Sequence, residues 1–250
     1  MKSRFDRYTV QARIQPALVT ALPLGLLVLA WASNGATATG ILWAVVVTGG
    51  GTGFLAQIAR DLGRRKQAGL YREWGGPPTT QKLRFQGNAN RELLNRRRQK
   101  LETVANQTLP TGEEETGDPV VADQRYESAV AYLLEATRDH EKFPLVLEEN
   151  INYGFRRNLW GMKPYGVGIA SLATLAAWGL FLSDLLVSGG ELVWYERLFV
   201  DPEPDLTVRL IGSMLNMSML VGWIFVIRPE WVKTTADAYA ERLIAAVDAL

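Results

Sequence analysis

Charge-free and densely charged stretches follow one another along this chain. From Ile14 to Ala59 no Asp, Glu, Lys or Arg occurs. Two apolar runs make up that stretch, Pro16 to Ser33 and Gly40 to Ala59, joined by the small polar residues Asn34 to Thr39. Each approaches the roughly 20 apolar residues with which a helix crosses ~30 Å of hydrocarbon. Two further runs follow a charged insert: Tyr165 to Val187, carrying only Asp184, and Leu210 to Ile227, carrying no charge. The pattern predicts an all-α polytopic membrane protein with four transmembrane helices in two hairpins, at 14–59 and 165–227.

The insert, 60–164, reads as a helical domain of its own. A helix continues the second span to about Trp74 and stops at the turn Gly75 to Thr80. Leu93, Leu94, Leu101, Val104 and Ala105 give an apolar stripe to a helix over about Asn90 to Gln107. Asp118-Pro119 pairs a capping residue with a proline suited to a first turn, and Tyr126, Val130, Leu133 and Leu134 follow at helical spacing. Between these helices, Leu109 to Gly117 holds Pro110, Gly112, three glutamates and Gly117, and is expected to be an exposed, weakly ordered loop. Past the last span, 228–250 forms an amphipathic helix with Val232, Ala236, Tyr239, Leu243, Val247 and Leu250 on one stripe. That stripe needs a partner, either the insert or another copy of the chain.

Average composition conceals this partition, since 48% hydrophobic residues, a net charge of +1 and a mean hydropathy near zero describe an ordinary soluble chain. The flanking charges orient the spans. Lys2, Arg4, Arg7 and Arg13 precede the first span and Arg60, Arg64, Arg65 and Lys66 follow the second, whereas the loop between spans three and four is mainly acidic. Lys and Arg stay on the cytoplasmic side, so both termini (1–13 and 228–250) and the insert are expected there. Trp31, Trp43, Trp178, Trp194, Trp223 and Trp231 stand at or near span ends, as interfacial aromatics do. A cleaved signal peptide ending at Ala30-Trp31-Ala32 competes for the first span, but its basic lead-in is long for one. A dinucleotide-binding turn competes at Thr48 to Gly53, yet the stretch that follows is basic, successive β-α alternation is lacking downstream, and Gly49 with Gly53 suits close helix packing.

Little conventional catalytic chemistry is encoded. There is no cysteine and a single histidine, His140, which reads as a surface helix residue. Thiolate nucleophiles and thiolate metal sites are therefore absent, mechanisms that need a Ser/His or Cys/His pair have almost nothing to work with, and no catalytic residue, metal or cofactor is expected. The charge of the insert instead inverts along its length: twelve Lys or Arg against three acids over 60–100, then three against twelve over 101–150. Arg91, Arg96, Arg97, Arg98 and Lys100 form either a solvated or internally paired face, a patch for anionic headgroups, or a site for a phosphate-bearing ligand. Arginine predominates over lysine, which suits phosphate recognition. The four arginines, with Arg84 and the aromatic-flanked Arg156 and Arg157, which serve equally well as interfacial anchors, are the candidate ligand-binding residues. Thr48, Thr52, Ser213 and Asn216 are the candidate pore-lining residues, with Asn216 equally suited to an interhelical hydrogen bond.

Leu70 to Arg84, containing Arg-Glu-Trp-Gly-Gly-Pro-Pro-Thr-Thr-Gln-Lys-Leu-Arg, and Glu149 to Pro164, Glu-Asn-Ile-Asn-Tyr-Gly-Phe-Arg-Arg-Asn-Leu-Trp-Gly-Met-Lys-Pro, resemble a family of bacterial membrane proteins. These are similar to the four-span membrane effectors of nucleotide-signalling antiphage systems, the Hailong effectors among them. The resemblance implies an inner-membrane homo-oligomer, a tetramer, that disrupts the bilayer as a channel. It also implies a nucleotide or DNA-oligomer signal made by a partner nucleotidyltransferase; it carries no residue roles. The expected function is thus a ligand-gated membrane effector. The alternative is a non-conducting scaffold that recruits a cytoplasmic partner, with a membrane enzyme ranked below both.

Overall fold

The computed structural model describes residues 7–31, 51–85, 90–187, 198, 200 and 204–250, and every extended element among them is helical. Thr48, Trp43, Trp194 and the second predicted span before Gly51 lie outside the described residues. The chain divides into two compact units: Met1–Arg64 with Phe155–Arg228, and Arg65–Gly154 with Pro229–Leu250.

In the first unit, a π-helical turn, Thr9–Ile14, leads into α1, Gln15–Trp31. α2 (Gly51–Trp74) up to Arg64 and α7 (Pro144–Val187) from Phe155 belong here, with α8 over Pro204–Phe225. Among the described residues, three helices are long and apolar enough to cross a membrane: Thr9–Trp31, Pro144–Leu186 and Pro204–Phe225. Their outward residues, among them Leu29, Leu172, Leu175, Leu186, Ile211 and Phe225, are exposed and apolar, a surface that water would not tolerate at this extent. The sequence placed a boundary at 164/165, but α7 continues through Pro164 without a break. Membrane helices tolerate such a proline because neighbours satisfy the carbonyl it frees.

Close backbone approach holds this unit together. A Cβ on Gly161 would stand 2.5 Å from the backbone of Leu62 and Gly63, and one on Gly63 would stand 2.2 Å from Asn158 Oδ1. α2 and α7 therefore cross backbone to backbone, the contact that small residues permit. Fully buried Asn158 donates from Nδ2 to Ala12 O at 2.7 Å, tying the crossing to the π-helical turn. α8 packs on α1 at Gly212, where an added Cβ would meet that of Ala30 at 2.9 Å. It meets α7 where the Trp223 ring covers Gly166. Trp223 is consequently 2% exposed and belongs to the packed interior, not to the interfacial belt expected of it.

In the second unit, α3 is Pro78–Leu83, α4 Arg91–Ala105, α5 Gly112–Gly117, α6 Pro119–Ala136 and α9 Pro229–Ala245, closed by a 3-10 turn at Ala246–Ala249. Asn90 caps α4 through Leu93 N; Asp118 caps α6 through Val121 N and Pro119 occupies the first turn, the latter two as the sequence indicated. Leu83, Leu101, Tyr126, Leu133, Phe143, Leu243 and Val247 form the core. The apolar stripe of α9 thus finds its partner in the insert, packing on α3 and α6. Two expectations fail here. Residues 112–117 form a helix with a capping box between Thr111 and Glu114 rather than a weakly ordered loop, because burial of Glu115 anchors the segment to the core. His140 lies exposed in the turn between α6 and α7, not on a helix.

Candidate functional site

The seven candidate ligand-binding arginines separate into distinct environments. Arg84 closes the turn after α2. Gly75 and Gly76 adopt φ of +82° and +125°, which favour glycine, and the Gln81 side chain donates to Trp74 O and Gly76 O at 2.8 and 2.7 Å. Arg84 donates to Gly75 O at 3.0 Å and forms a two-pronged pair with Asp123 on α6. That carboxylate holds the guanidinium above its ordinary value. The first of the two runs that carry the family resemblance is therefore a self-locking turn. It meets the second through Tyr71 and Tyr153, whose hydroxyls lie 3.2 Å apart, with the Tyr153 ring stacked on Tyr239.

Arg98 is a core residue, 5% exposed. It donates to the carbonyls of Leu83 and Pro110 and, at 2.9 Å, to the Tyr126 hydroxyl, which donates in turn to Glu115 Oε2 at 2.8 Å. The same carboxylate accepts from Phe85 N at 2.9 Å, and the Phe85 ring lies 4.0 Å from the guanidinium carbon. A buried cation and a buried anion are joined through a phenol, and burial pushes that phenol up to about 12. The helical stripe reads Arg98 as a surface cation of a basic face. Its place is instead the junction of α3, α4, α5 and α6, where its donors serve the fold.

The remaining basic face of α4 converges on one acid. Asp248 in the C-terminal 3-10 turn accepts from Arg97 at 3.1 Å, stands 3.9 Å from Arg96, and offers its carbonyl to Lys100 at 2.9 Å. The carboxylate faces two guanidinium groups and the carbonyl a lysine, with Arg91 exposed on the same helix. The inversion of charge along the insert suggested pairing between its own halves, but the acid comes from the far end of the chain. Beside Arg97 lies a cavity of about 120 Å³ lined by Lys82, Asn90, Leu93, Leu94, Arg97, Glu241 and Ile244. A second, of about 210 Å³, opens by Phe85, Asn95, Arg98, Gln99, Glu102 and Thr111.

No protein family, curated protein or solved structure matches the chain. The site is accordingly read from its own geometry.

Arg156 and Arg157 belong to the first unit, with Arg157 donating to Asn158 Oδ1 at 3.1 and 3.2 Å. Among the candidate pore residues, Ser213 and Asn216 are fully buried. Ser213 donates to Arg209 O at 2.9 Å and Asn216 to Gly212 O at 3.1 Å. They face the interior of the unit, while Ile211, Met214 and Leu215 occupy the outer face of α8. Thr48 lies outside the described residues, as does the side chain of Thr52. The sequence reading missed the ion pair of Asp184 and Arg209, which pins α7 to α8. Its signal was available: these charges stand at the facing ends of two apolar runs joined as a hairpin.

Proposed function

We propose that this chain is an oligomeric, multi-pass inner-membrane effector with both termini and the insert cytoplasmic. Its water-facing second unit binds a phosphate-bearing signal, a nucleotide or DNA oligomer, and its membrane helices then open an ion path. The observation that carries this reading is the basic face of α4, where the Asp248 carboxylate answers Arg96 and Arg97 and its carbonyl accepts from Lys100, beside exposed Arg91. Guanidinium forks with spare donors suit phosphate oxygens. Arg84 and Arg98 are assigned to the fold instead, since their donors hold Asp123, Leu83, Pro110 and Tyr126.

Ser213 and Asn216 are internal, so conduction along them requires α7 and α8 to part or α8 to turn. A signal achieves that only by binding the open arrangement more tightly. One subunit is too small to enclose a wide pore, and symmetric copies, four in this reading, supply the rest. The scaffold alternative drew on the apolar stripe of α9, and that stripe is buried in its own unit, which favours the effector.

The test is ion or dye flux from liposomes holding the purified protein, with nucleotides or short DNA oligomers added. Ligand-dependent leakage that Arg91→Ala/Arg96→Ala/Arg97→Ala abolishes supports the proposal. Tight liposomes under every condition reject it for the scaffold.

A further inference from the structure

Three contacts set the register of α7 against α8. Lys163 donates to Ile224 O and Ile227 O at 3.0 and 2.7 Å, Gly166 lies under Trp223, and Asp184 pairs with Arg209. The helices therefore run antiparallel. Halfway between the Gly166 and Asp184 contacts fall position 175 on α7 and position 216 on α8. Asn216 thus stands level with Thr174.

Both residues lie on the buried stripes. Ala170, Ala173, Thr174, Ala177 and Phe181 are at most 4% exposed on α7, and Ser213, Asn216 and Trp223 at most 2% on α8. Yet Thr174 Oγ1 and Asn216 Oδ1 each find no hydrogen-bond partner, and neither does Trp178 Nε1 one turn along α7 from Thr174.

The Thr174 hydroxyl is unusual within this unit. Thr20, Ser213 and Ser218 all turn back to donate to the carbonyl four residues earlier, at 2.8 to 2.9 Å. That route costs nothing in hydrocarbon and is the default for a helical hydroxyl. Thr174 forgoes it. An orphaned polar atom in a membrane interior is expensive, and two at one level of one helix pair have a common remedy.

We propose that Thr174 and Asn216 form a water-binding site in the middle of the α7/α8 seam. A water there accepts from the Thr174 hydroxyl and donates to Asn216 Oδ1. A water with two to four polar partners is a stable interior component. The seam is wet at its centre and closed by Trp223 over Gly166 at one end and the Asp184–Arg209 pair at the other. An ion path would widen from such a place, so the inference deepens the effector reading. It rests only on the membrane placement of this unit.

The test is a double-mutant cycle on the melting temperature of the full chain in detergent, with Thr174→Val, Asn216→Leu and the double variant. A shared water couples the two groups. Each single substitution then lowers Tm by about 2–4 °C for each hydrogen bond's worth of stability lost, the double variant loses no more than the worse single, and Thr174→Ser retains the wild-type Tm. Singles that raise Tm mark dry, orphaned groups whose removal relieves a penalty, and losses that simply add mark independent sites; either overturns the proposal. If Asn216→Leu does not accumulate, Asn216→Val takes its place in the cycle. Flux plays no part in this readout, so tight liposomes leave the cycle standing and a failed cycle leaves gating standing.

Discussion

Asn158 donates from its carboxamide nitrogen to Ala12 O at 2.7 Å, across more than half the chain length. The acceptor lies in the π-helical turn before α1, where i→i+5 bonding is weak and a side chain can claim a carbonyl. Three helical segments meet here, because the same asparagine sits against Gly63. Adding a Cβ at Gly161 pushes into backbone, which cannot move aside as a side chain would. Gly161→Ala is expected to destabilise the protein by about 1–3 kcal/mol. Gly168→Ala and Gly179→Ala, with open space around the new methyl, are expected to be neutral or to stabilise by about 0.5–1 kcal/mol. Thermal melts in detergent compare the three.

Arg98→Met removes the cation and leaves Glu115 buried with carbonyls of Leu83 and Pro110 unserved. A loss of about 3–5 kcal/mol is expected, as for one broken partner of a buried pair. Arg98→Lys restores the charge without the fork and recovers only part. Denaturant unfolding followed by circular dichroism reads both, and unchanged stability would return Arg98 to the ligand-binding set.

Tyr126 gives the second unit an alkaline limit. Its phenol is raised to about 12 from an ordinary value of 10.0, first because burial disfavours the anion. A raised folded value means the contribution is complete below about pH 10 and fades as pH climbs through about 12. Wild-type stability is expected to fall across that window more steeply than that of Tyr126→Phe. Unfolding midpoints measured between about pH 9 and pH 12 give the difference; parallel curves would show that the phenol does not drive it.

Asp184→Asn or Arg209→Met leaves the other charge unanswered where α7 meets α8. A cost of roughly 1.5–3 kcal/mol is expected for this charged hydrogen bond. The exchange Asp184→Arg/Arg209→Asp is expected to recover much of it, and Tm of the four proteins in detergent decides.

Apolar runs marked the three helices able to cross a membrane, and the starts expected near Asn90 and Asp118-Pro119 lie there. Local chemistry sufficed there, since caps act within one turn. What escaped depended on partners distant in sequence. Arg98 sits in an arginine run and looks like its neighbours until Tyr126, Glu115 and Pro110 are brought around it. Leu109 to Gly117 carries loop-forming residues, yet Glu115 is drawn into the core by a tyrosine and an amide of other segments. The basic face of α4 was legible; its single acid, at position 248, was not. Nor did the apolar stripe of α9 reveal that the insert was its partner rather than a second copy.

The second unit is assembled from 65–154 and 229–250, and Leu243 and Val247 from the later piece lie at 0% exposure in its core. A ribosome makes those residues only after α7 and α8 have emerged. The half-core left by 65–154 must wait, incomplete, while the later membrane helices are inserted. A chain stalled before α9 therefore lacks a finished second unit, and the order of synthesis makes that core the last to close.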